Sequence, residues 1–187
     1  SFKKRNRQLT SREDRKLSMG ISNIWVFSQE SNGTATSGTL ELLTHARSLG
    51  GSVTAFVGGD ASAIAGILGE YGATKVYATG DLGGALPGAA VASAMKAVID
   101  GGDSPDLILF PQNYEGRDVM SRLSVKVDRT VLTNNVAVAV DGDTVTVTTP
   151  VFGGNTLVST SFSGSAPYLA AFPVSYTHLT LPTTYTV

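Results

Sequence analysis

The segment at residues 106–128, DLILFPQNYEGRDVMSRLSVKVD, is the most informative part of this chain. An apolar run at 107–110 stops at Pro111. A polar loop with one glycine follows at 112–116, and a helical pattern covers 117–127. A short apolar run bounded by turn residues predicts a strand buried in a parallel sheet. Ligands of open α/β sheets bind where such a strand leads through a loop into a helix N-terminus, so we expect function at this loop.

The segments before residue 106 repeat the same order of strand and helix. Strands are predicted at 23–28, 52–57 and 74–78, and helices at 37–49, 61–71 and 88–100. Glycines follow the helices as stop signals, and Asp60 is a candidate N-cap for the second helix. This alternation specifies βαβ units, and therefore a parallel sheet with helices on both faces.

The pattern changes after residue 131. Val/Thr-rich segments of alternating polarity lie at 135–140, 144–149 and 156–162, separated by glycine-containing turns. They predict an antiparallel meander. The segment at 168–172 is a candidate for one further strand. The predicted fold class is therefore α/β, with a three-layer parallel sheet flanked by helices and an antiparallel β extension.

Composition favours a compact fold, because 42% of the 187 residues are hydrophobic and 16% are charged. The net charge of −1 is unevenly distributed. Residues 1–18 hold seven of the 14 basic residues and two of the 15 acidic ones. The acidic remainder argues against nucleic acid as the main partner, since phosphate binding needs clustered Lys and Arg.

Both ends of the chain differ from the middle. The basic head at 1–18 is interpreted as translated upstream sequence or a disordered tail, with a nucleic-acid-binding arm and a transit peptide as alternatives. The tail at 174–187, VSYTHLTLPTTYTV, resembles translated sequencing-adapter DNA. We therefore expect the true domain to occupy residues 19–173.

Several kinds of chemistry lack the residues that they need. There is no cysteine, which excludes disulfides, thiol catalysis and cysteine-ligated metals. His45 and His178 are the two histidines, and no G-x-S-x-G motif accompanies them. We predict no catalytic residue and no metal site, and interpret His45 as a surface or fully hydrogen-bonded helix residue. The absence of a long apolar run predicts no membrane insertion and a cytoplasmic protein.

The loop after the fourth predicted strand supplies the candidate cofactor-binding residues Asn113, Gly116, Arg117 and Asp118. A helix N-terminus can hold a phosphate through its backbone N–H groups. The alternative is structural: Glu115 and Asp118 cap the helix, and Arg117 pairs with a neighbouring carboxylate.

The other candidate ligand contacts are weaker. The glycine pairs at 58–59 and 83–84 do not fit G-x-G-x-x-G after a first strand, which disfavours a Rossmann dehydrogenase. Trp25 and Tyr77 lie within strands and are expected in the core.

Six phrases, in chain order, carry a family resemblance. They are NIWVFSQ, TLELLTHARSLGGSVTAFVGG, YGATKVYATGD, PDLILFPQNYEGRDVMSRLSVKVD, LTNNVAVAVDGDTVTVTTPVFGGNTLVSTSFSG and APYLAAF. The combination of an E-L-L-x-x-A-R-x-L-G-G helix, a G-R-D helix start and an F-G-G-N hairpin resembles the N-terminal domain of the electron transfer flavoprotein alpha subunit. The resemblance covers about residues 23–172.

This resemblance implies an adenine nucleotide alpha-hydrolase-like fold and an electron carrier subunit, not an enzyme. It implies a heterodimer with a beta subunit, which holds a structural AMP, whereas the alpha domain is not expected to hold nucleotide. FAD is implied in the alpha subunit's C-terminal domain. Electrons are implied to arrive from acyl-CoA dehydrogenases and related flavoenzymes, as in fatty-acid β-oxidation, and to leave to a membrane quinone oxidoreductase or another acceptor.

The chain departs from the family after Phe172, where an Arg-Pro linker and a FAD-binding domain are expected. We therefore predict that this chain alone binds no FAD. The alternative function is a stand-alone nucleotide-binding module of the universal-stress type that uses the loop at 112–118. A third possibility is nucleic-acid binding through the basic head.

Overall fold

The computed structural model describes residues 20–173. The head predicted at 1–18 and the tail predicted at 174–187 lie outside the described residues.

The described chain begins with alternating strands and helices and ends with strands. The elements, in chain order, are β1 (Asn23–Ser28), β2 (Glu30–Ser31), β3 (Thr34–Ala35), α1 (Ser37–Ser48), β4 (Ser52–Val57), α2 (Ala65–Glu70), β5 (Lys75–Ala78), α3 (Pro87–Asp100), β6 (Leu107–Pro111), α4 (Tyr114–Val127), β7 (Val131–Leu132), β8 (Ala137–Asp141), β9 (Thr144–Val151), β10 (Thr156–Ser161) and β11 (Tyr168–Phe172). A short 3-10 turn, Phe152–Gly154, joins β9 to β10. The strands β2 and β3 form a small hairpin.

Six strands form one parallel sheet in the order β5-β4-β1-β6-β11-β7. Strand β1 lies in the middle, where Val26 is paired with Ala55 of β4 on one side and with Leu109 of β6 on the other. Every residue of β1 and β6 is buried. The prediction of a parallel sheet, with the strand at 107–110 buried in it, is confirmed.

The helices change face where the chain reverses its direction across the sheet. From β1 the chain moves outward to β4 and β5, and α1 and α2 pack on one face of the sheet. It then returns to β6 and β7, and α3 and α4 pack on the other face. Connections between parallel strands keep one handedness, so a chain that reverses its direction across the sheet must place its next helices on the opposite face. Successive strand residues such as Val26 and Phe27 accordingly enter different core clusters.

The antiparallel extension is a three-stranded sheet in the order β10-β9-β8. Its buried residues Val138, Val145 and Val147 join the same core cluster as α1. Strand β10 differs from its neighbours because all six of its residues are exposed. The extension therefore packs through β8 and β9 and leaves β10 at the surface.

Two predicted helix starts are wrong. The second helix begins at Ala65, because Asp60 instead accepts hydrogen bonds from the Ser62 N–H (2.9 Å) and hydroxyl (2.8 Å) in a local turn. The Ser62 N–H lowers the pKa of the Asp60 carboxyl, with help from the hydroxyl. The fourth helix begins at Tyr114, three residues before its predicted start.

A fully buried asparagine joins the two sheets. Asn135 donates from Nδ2 to the carbonyls of Leu132 (2.6 Å) and Ala171 (3.0 Å), at the β7 and β11 edge of the parallel sheet. Its Oδ1 accepts from the Thr149 hydroxyl of β9 (3.0 Å). The amide thus hydrogen-bonds to polar groups on both sides of the junction, which an apolar side chain could not do.

We expect Asn135→Ala to lower the free energy of unfolding by about 2 kcal/mol, because it removes the hydrogen bonds of a fully buried amide to the Leu132 and Ala171 carbonyls and the Thr149 hydroxyl. Asn155→Ala is the matched control, since Asn155 is exposed, and should change stability by less than about 0.5 kcal/mol. Urea unfolding of both variants measures the difference. Equal stabilities would show that Asn135 does not hold the junction.

Candidate functional site at the carboxyl edge of the sheet

The carboxyl ends of β1 and β6 mark the point where the chain reverses its direction across the sheet. In open parallel sheets the loops diverge there and leave a crevice in which ligands bind. Gln29 directly follows β1 at this point, and Asn113 follows β6. The predicted candidate loop therefore lies at the expected edge of the sheet.

Side chains of this chain bridge the crevice. Asn113 donates from Nδ2 to the Gln29 Oε1 (2.6 Å), and Gln29 donates from Nε2 to the Glu115 Oε2 (2.5 Å). Gln29 is buried, and its backbone N–H donates to the Thr39 hydroxyl of α1 (2.8 Å). A phosphate here would have to break this chain of hydrogen bonds and lie beside a carboxylate. Sequence reasoning missed Gln29, although its place directly after a buried strand was a usable signal.

Asn113 and Gly116 shape the start of α4. The Oδ1 of Asn113 accepts from the Gly116 N–H (2.9 Å), which makes Asn113 the N-cap. A Cβ on residue 116 would collide with the Pro111 carbonyl, so only glycine lets the helix pack this close to the end of β6. Both candidate residues thus have a structural task, and the cap occupies an N–H group that could otherwise hold a phosphate.

Arg117 and Asp118 take no part in that cap. Asp118 forms an ion pair with Arg122 one turn later (2.7 Å), and it lies so close to Gly88 of α3 that a Cβ there would overlap it. Arg117 is exposed and has no ion-pair partner within residues 20–173. The alternative in which Glu115 and Asp118 cap the helix and Arg117 pairs with a carboxylate is wrong. Asn113 caps the helix, and the residue that pairs with Asp118 is Arg122.

His45 has an environment that its sequence position did not reveal. It lies on α1 with its ring against Phe172 (centroids 6.2 Å apart), beside a groove of about 370 Å³. Its Nε2 is buried without a hydrogen-bond partner among the described residues, so the expectation of a surface or fully hydrogen-bonded histidine is wrong. Burial lowers the pKa of His45, and a hydrogen bond with the Val138 backbone opposes that effect.

The opposite, amino edge of the sheet carries a saturated polar cluster. Asp103 accepts from Lys75 Nζ (2.7 Å), from the Tyr77 hydroxyl (2.8 Å) and from Asn23 Nδ2 (3.1 Å). The hydrogen bond from Lys75 is the main cause of the lowered pKa of Asp103. Tyr77 is half-buried, and Trp25 is fully buried against Phe56, which confirms the core interpretation of Trp25. This cluster fastens β5 to the loop before β6.

Two further observations concern metal binding and membrane crossing. No group of three or more His, Asp and Glu residues in the described part of the chain is close enough to hold a metal ion. No helix between residues 20 and 173 is both long enough and apolar enough to cross a bilayer.

Comparisons with known proteins agree on one family. The model of the electron transfer flavoprotein domain matches residues 24–173. The electron transfer flavoprotein subunit alpha of Syntrophomonas wolfei subsp. wolfei is 31% identical over 147 residues, which is 77% of this chain. The aligned part is 46% of that relative, so the chain spans about half the length of the curated relative it matches.

We expect Gly116→Ala to lower the free energy of unfolding by about 1–3 kcal/mol, because the new methyl group collides with the Pro111 carbonyl. Gly69→Ala in α2 is the matched control. Apart from its chain neighbours and the backbone of its own helix, no atom lies within 4 Å of its Cβ position, and alanine favours the helix by up to about 1 kcal/mol. Chemical denaturation of both variants compares them, and opposite signs are expected.

His45 predicts a pH dependence of stability. Its folded pKa lies below the ordinary value of 6.5, so the unfolded chain takes up a proton first as the pH falls. Above about pH 6.5 the neutral His45 ring does not reduce the free energy of unfolding. That free energy decreases as the pH falls from about 6.5 through the folded pKa of His45. We expect the unfolding free energy of His45→Gln to fall less than that of the unaltered chain between pH 7.5 and 5. Parallel curves would contradict the burial of the neutral ring.

Proposed function

Since this chain belongs to the electron transfer flavoprotein family, with the N-terminal domain of the alpha subunit as its match, we propose that it is the partner-binding domain of an electron carrier. Its task is to pair with a beta subunit and thereby position a flavin that is held elsewhere. It supplies interaction surface rather than reacting groups.

The observation that carries this proposal is the open edge of β10. This strand pairs with β9 along its whole length, and no strand within residues 20–173 covers its other side. Its sequence, TLVSTS, contains no charge and no proline, the devices that usually protect an edge. An exposed edge of this kind suits the addition of a strand from a partner.

The register identifies the groups that would meet such a strand. The Phe162 N–H donates to the Val145 carbonyl (2.9 Å), which makes this a hydrogen-bonded pair of the ladder. Pairs alternate in antiparallel ladders, so the peptide groups of Leu157, Ser159 and Ser161 point away from β9. These three residues would present to the partner a row of donors and acceptors that no strand within residues 20–173 uses.

FAD is the cofactor that the family implies, and the crevice between β1 and β6 does not fit it. The Asn113–Gln29–Glu115 hydrogen bonds fill the place where a dinucleotide would lie, and Glu115 would repel its phosphates. We therefore propose that FAD binds outside the described residues of a longer alpha subunit. The same contacts disfavour a stand-alone nucleotide-binding module and a phosphate at Asn113, Gly116, Arg117 and Asp118.

The remaining parts of the proposal follow from the family alone. Acyl-CoA dehydrogenase-type flavoenzymes would supply the electrons, and a quinone oxidoreductase would accept them. The complex would work in the bacterial cytoplasm, and this chain would act as a carrier subunit without catalysing a reaction itself.

Ser159→Pro tests the strand addition. It removes an outward N–H while sparing the ladder to β9, because proline is tolerated at such edge positions. The chain should stay folded and lose at least about tenfold in affinity for a beta subunit encoded in the same genome. Ser159→Ala, which keeps the N–H, should bind like the unaltered chain in the same calorimetric titration.

If Ser159→Pro binds as tightly as Ser159→Ala, the partner does not pair along β10. If the unaltered chain does not bind the beta subunit at all, the partner-binding role is wrong.

A further inference from the structure

The short hairpin of β2 and β3 carries the one Asn-Gly pair of the sequence. Residue 30 pairs with residue 35 and residue 31 with residue 34, so Asn32 and Gly33 form a two-residue loop. Their φ angles of 54° and 79° are both positive, as the type I′ turn that Asn-Gly favours requires. Residues 30–34 are all exposed. The loop thus presents an asparagine side chain and the peptide N–H that follows it to water.

An asparagine followed by glycine can lose its side-chain amide without an enzyme. The peptide nitrogen of Gly33 would attack the Asn32 Cγ to form a five-membered succinimide, while the side-chain nitrogen leaves as ammonia. Water then opens this ring to aspartate or isoaspartate. Glycine has no side chain to shield its nitrogen. Apart from its chain neighbours, no atom lies within 4 Å of the Cβ position of Gly33, so the loop leaves room for the reaction.

Little holds the Asn32 side chain in place. Within residues 20–173 its Nδ2 makes one long hydrogen bond, to the Ser31 hydroxyl (3.5 Å). The hairpin has two ladder pairs, and a hairpin of this size is marginally stable by itself. Below it the chain is fastened, because the Thr36 N–H donates to the Gln29 carbonyl (3.0 Å). The loop can therefore open locally while the rest of the fold stays intact.

The Glu30 side chain lies at the group that must lose a proton in this reaction. Its Oε1 accepts a hydrogen bond from the Gly33 N–H, and that nitrogen is the one that would attack Asn32. A general base acts within hydrogen-bond reach of the proton that it removes. The folded hairpin therefore places a carboxylate where such a base is needed.

We propose that Asn32 is a site of spontaneous deamidation in the folded chain, with Glu30 as the general base. As the nitrogen of Gly33 bonds to the Asn32 Cγ, its proton passes to the Glu30 carboxylate. That proton then goes to the departing side-chain nitrogen, so ammonia leaves and the carboxylate is restored. The product carries one more negative charge on this hairpin. The inference uses one hairpin only and does not depend on the partner-binding role.

Other asparagines of the described chain lack this combination. Asn155 is also exposed, but it is followed by Thr156, whose β-branched side chain shields the attacking nitrogen. Asn113 caps α4 through its side chain, and Asn135 is fully buried. Asn155 is therefore the internal control for an exposed asparagine without a following glycine.

The test incubates the full 187-residue chain at neutral pH and follows each asparagine by peptide mass spectrometry. Asn32 should convert to aspartate and isoaspartate, while Asn155 stays an amide. Glu30→Gln keeps an oxygen that can accept the Gly33 N–H but removes the base. It should slow the conversion by at least about tenfold, since a positioned general base contributes about 10²–10⁴-fold.

Urea separates the effect of the fold from that of the Asn-Gly sequence. In the unfolded chain the hydrogen bond between Glu30 and Gly33 is lost, so the unaltered chain and Glu30→Gln should convert at equal rates. The melting temperature of Glu30→Gln should match that of the unaltered chain, because Glu30 is exposed. Asn32→Gly tolerates the positive φ and has no amide to lose. It should prevent the acidic species that ion-exchange chromatography resolves from the aged protein.

Two results would overturn the proposal. If Asn32 keeps its amide in the folded chain but converts in urea, the hairpin protects this residue and is not a modification site. If folded Glu30→Gln converts as fast as the unaltered chain, or faster, Glu30 is not the base.

Discussion

The close contact between α4 and the end of β6 is the constraint on which the candidate site depends. Gly116 packs against the Pro111 carbonyl, and Asn113 caps the helix at the same place. With the helix held there, the remaining polar atoms of Asn113 reach Gln29, and Glu115 completes the bridge. The contact between Gly116 and the Pro111 carbonyl thus positions the side chains that close the crevice between β1 and β6. The fold keeps the crevice of an open parallel sheet and fills it with its own hydrogen bonds.

A second constraint connects the parallel sheet to its antiparallel extension. Strand β11 lies between β6 and β7, and Asn135 bonds to carbonyls at that edge while Thr149 of β9 bonds to Asn135. The valines of β8 and β9 then pack into the core beside α1. Because β8 and β9 take these buried positions, β10 is left outside, with its edge and its exposed Phe152 corner directed to solvent. The surface assigned to a partner is therefore a consequence of how the two sheets are joined.

These two features give the two ends of the domain different roles. The carboxyl edge, where related sheets hold ligands, serves stability here, since its polar groups are hydrogen-bonded to one another. The β9–β10 ribbon is the opposite case, because its polar edge and apolar ring are both without partners in the described chain. A closed ligand crevice and an open, uncharged strand edge are the two features on which the proposed partner-binding role rests.

The sequence alone determined the parallel sheet, the order of its helices and strands, the antiparallel extension and the family. Those features depend on local periodicity, on turn residues and on motifs that can be seen in the chain. The helix starts at Ala65 and Tyr114 were not predictable in this way. The side chains of Asp60 and Asn113 can each accept a hydrogen bond from several nearby backbone N–H groups, and the folded geometry determines which N–H group donates it. Only the tertiary structure brought Gln29 to Glu115, buried the Nε2 of His45 without a partner among residues 20–173, and exposed β10 and Phe152. Such contacts join residues far apart in the chain, and whether a strand lies inside or at an edge is decided by its neighbours in space rather than by its own sequence.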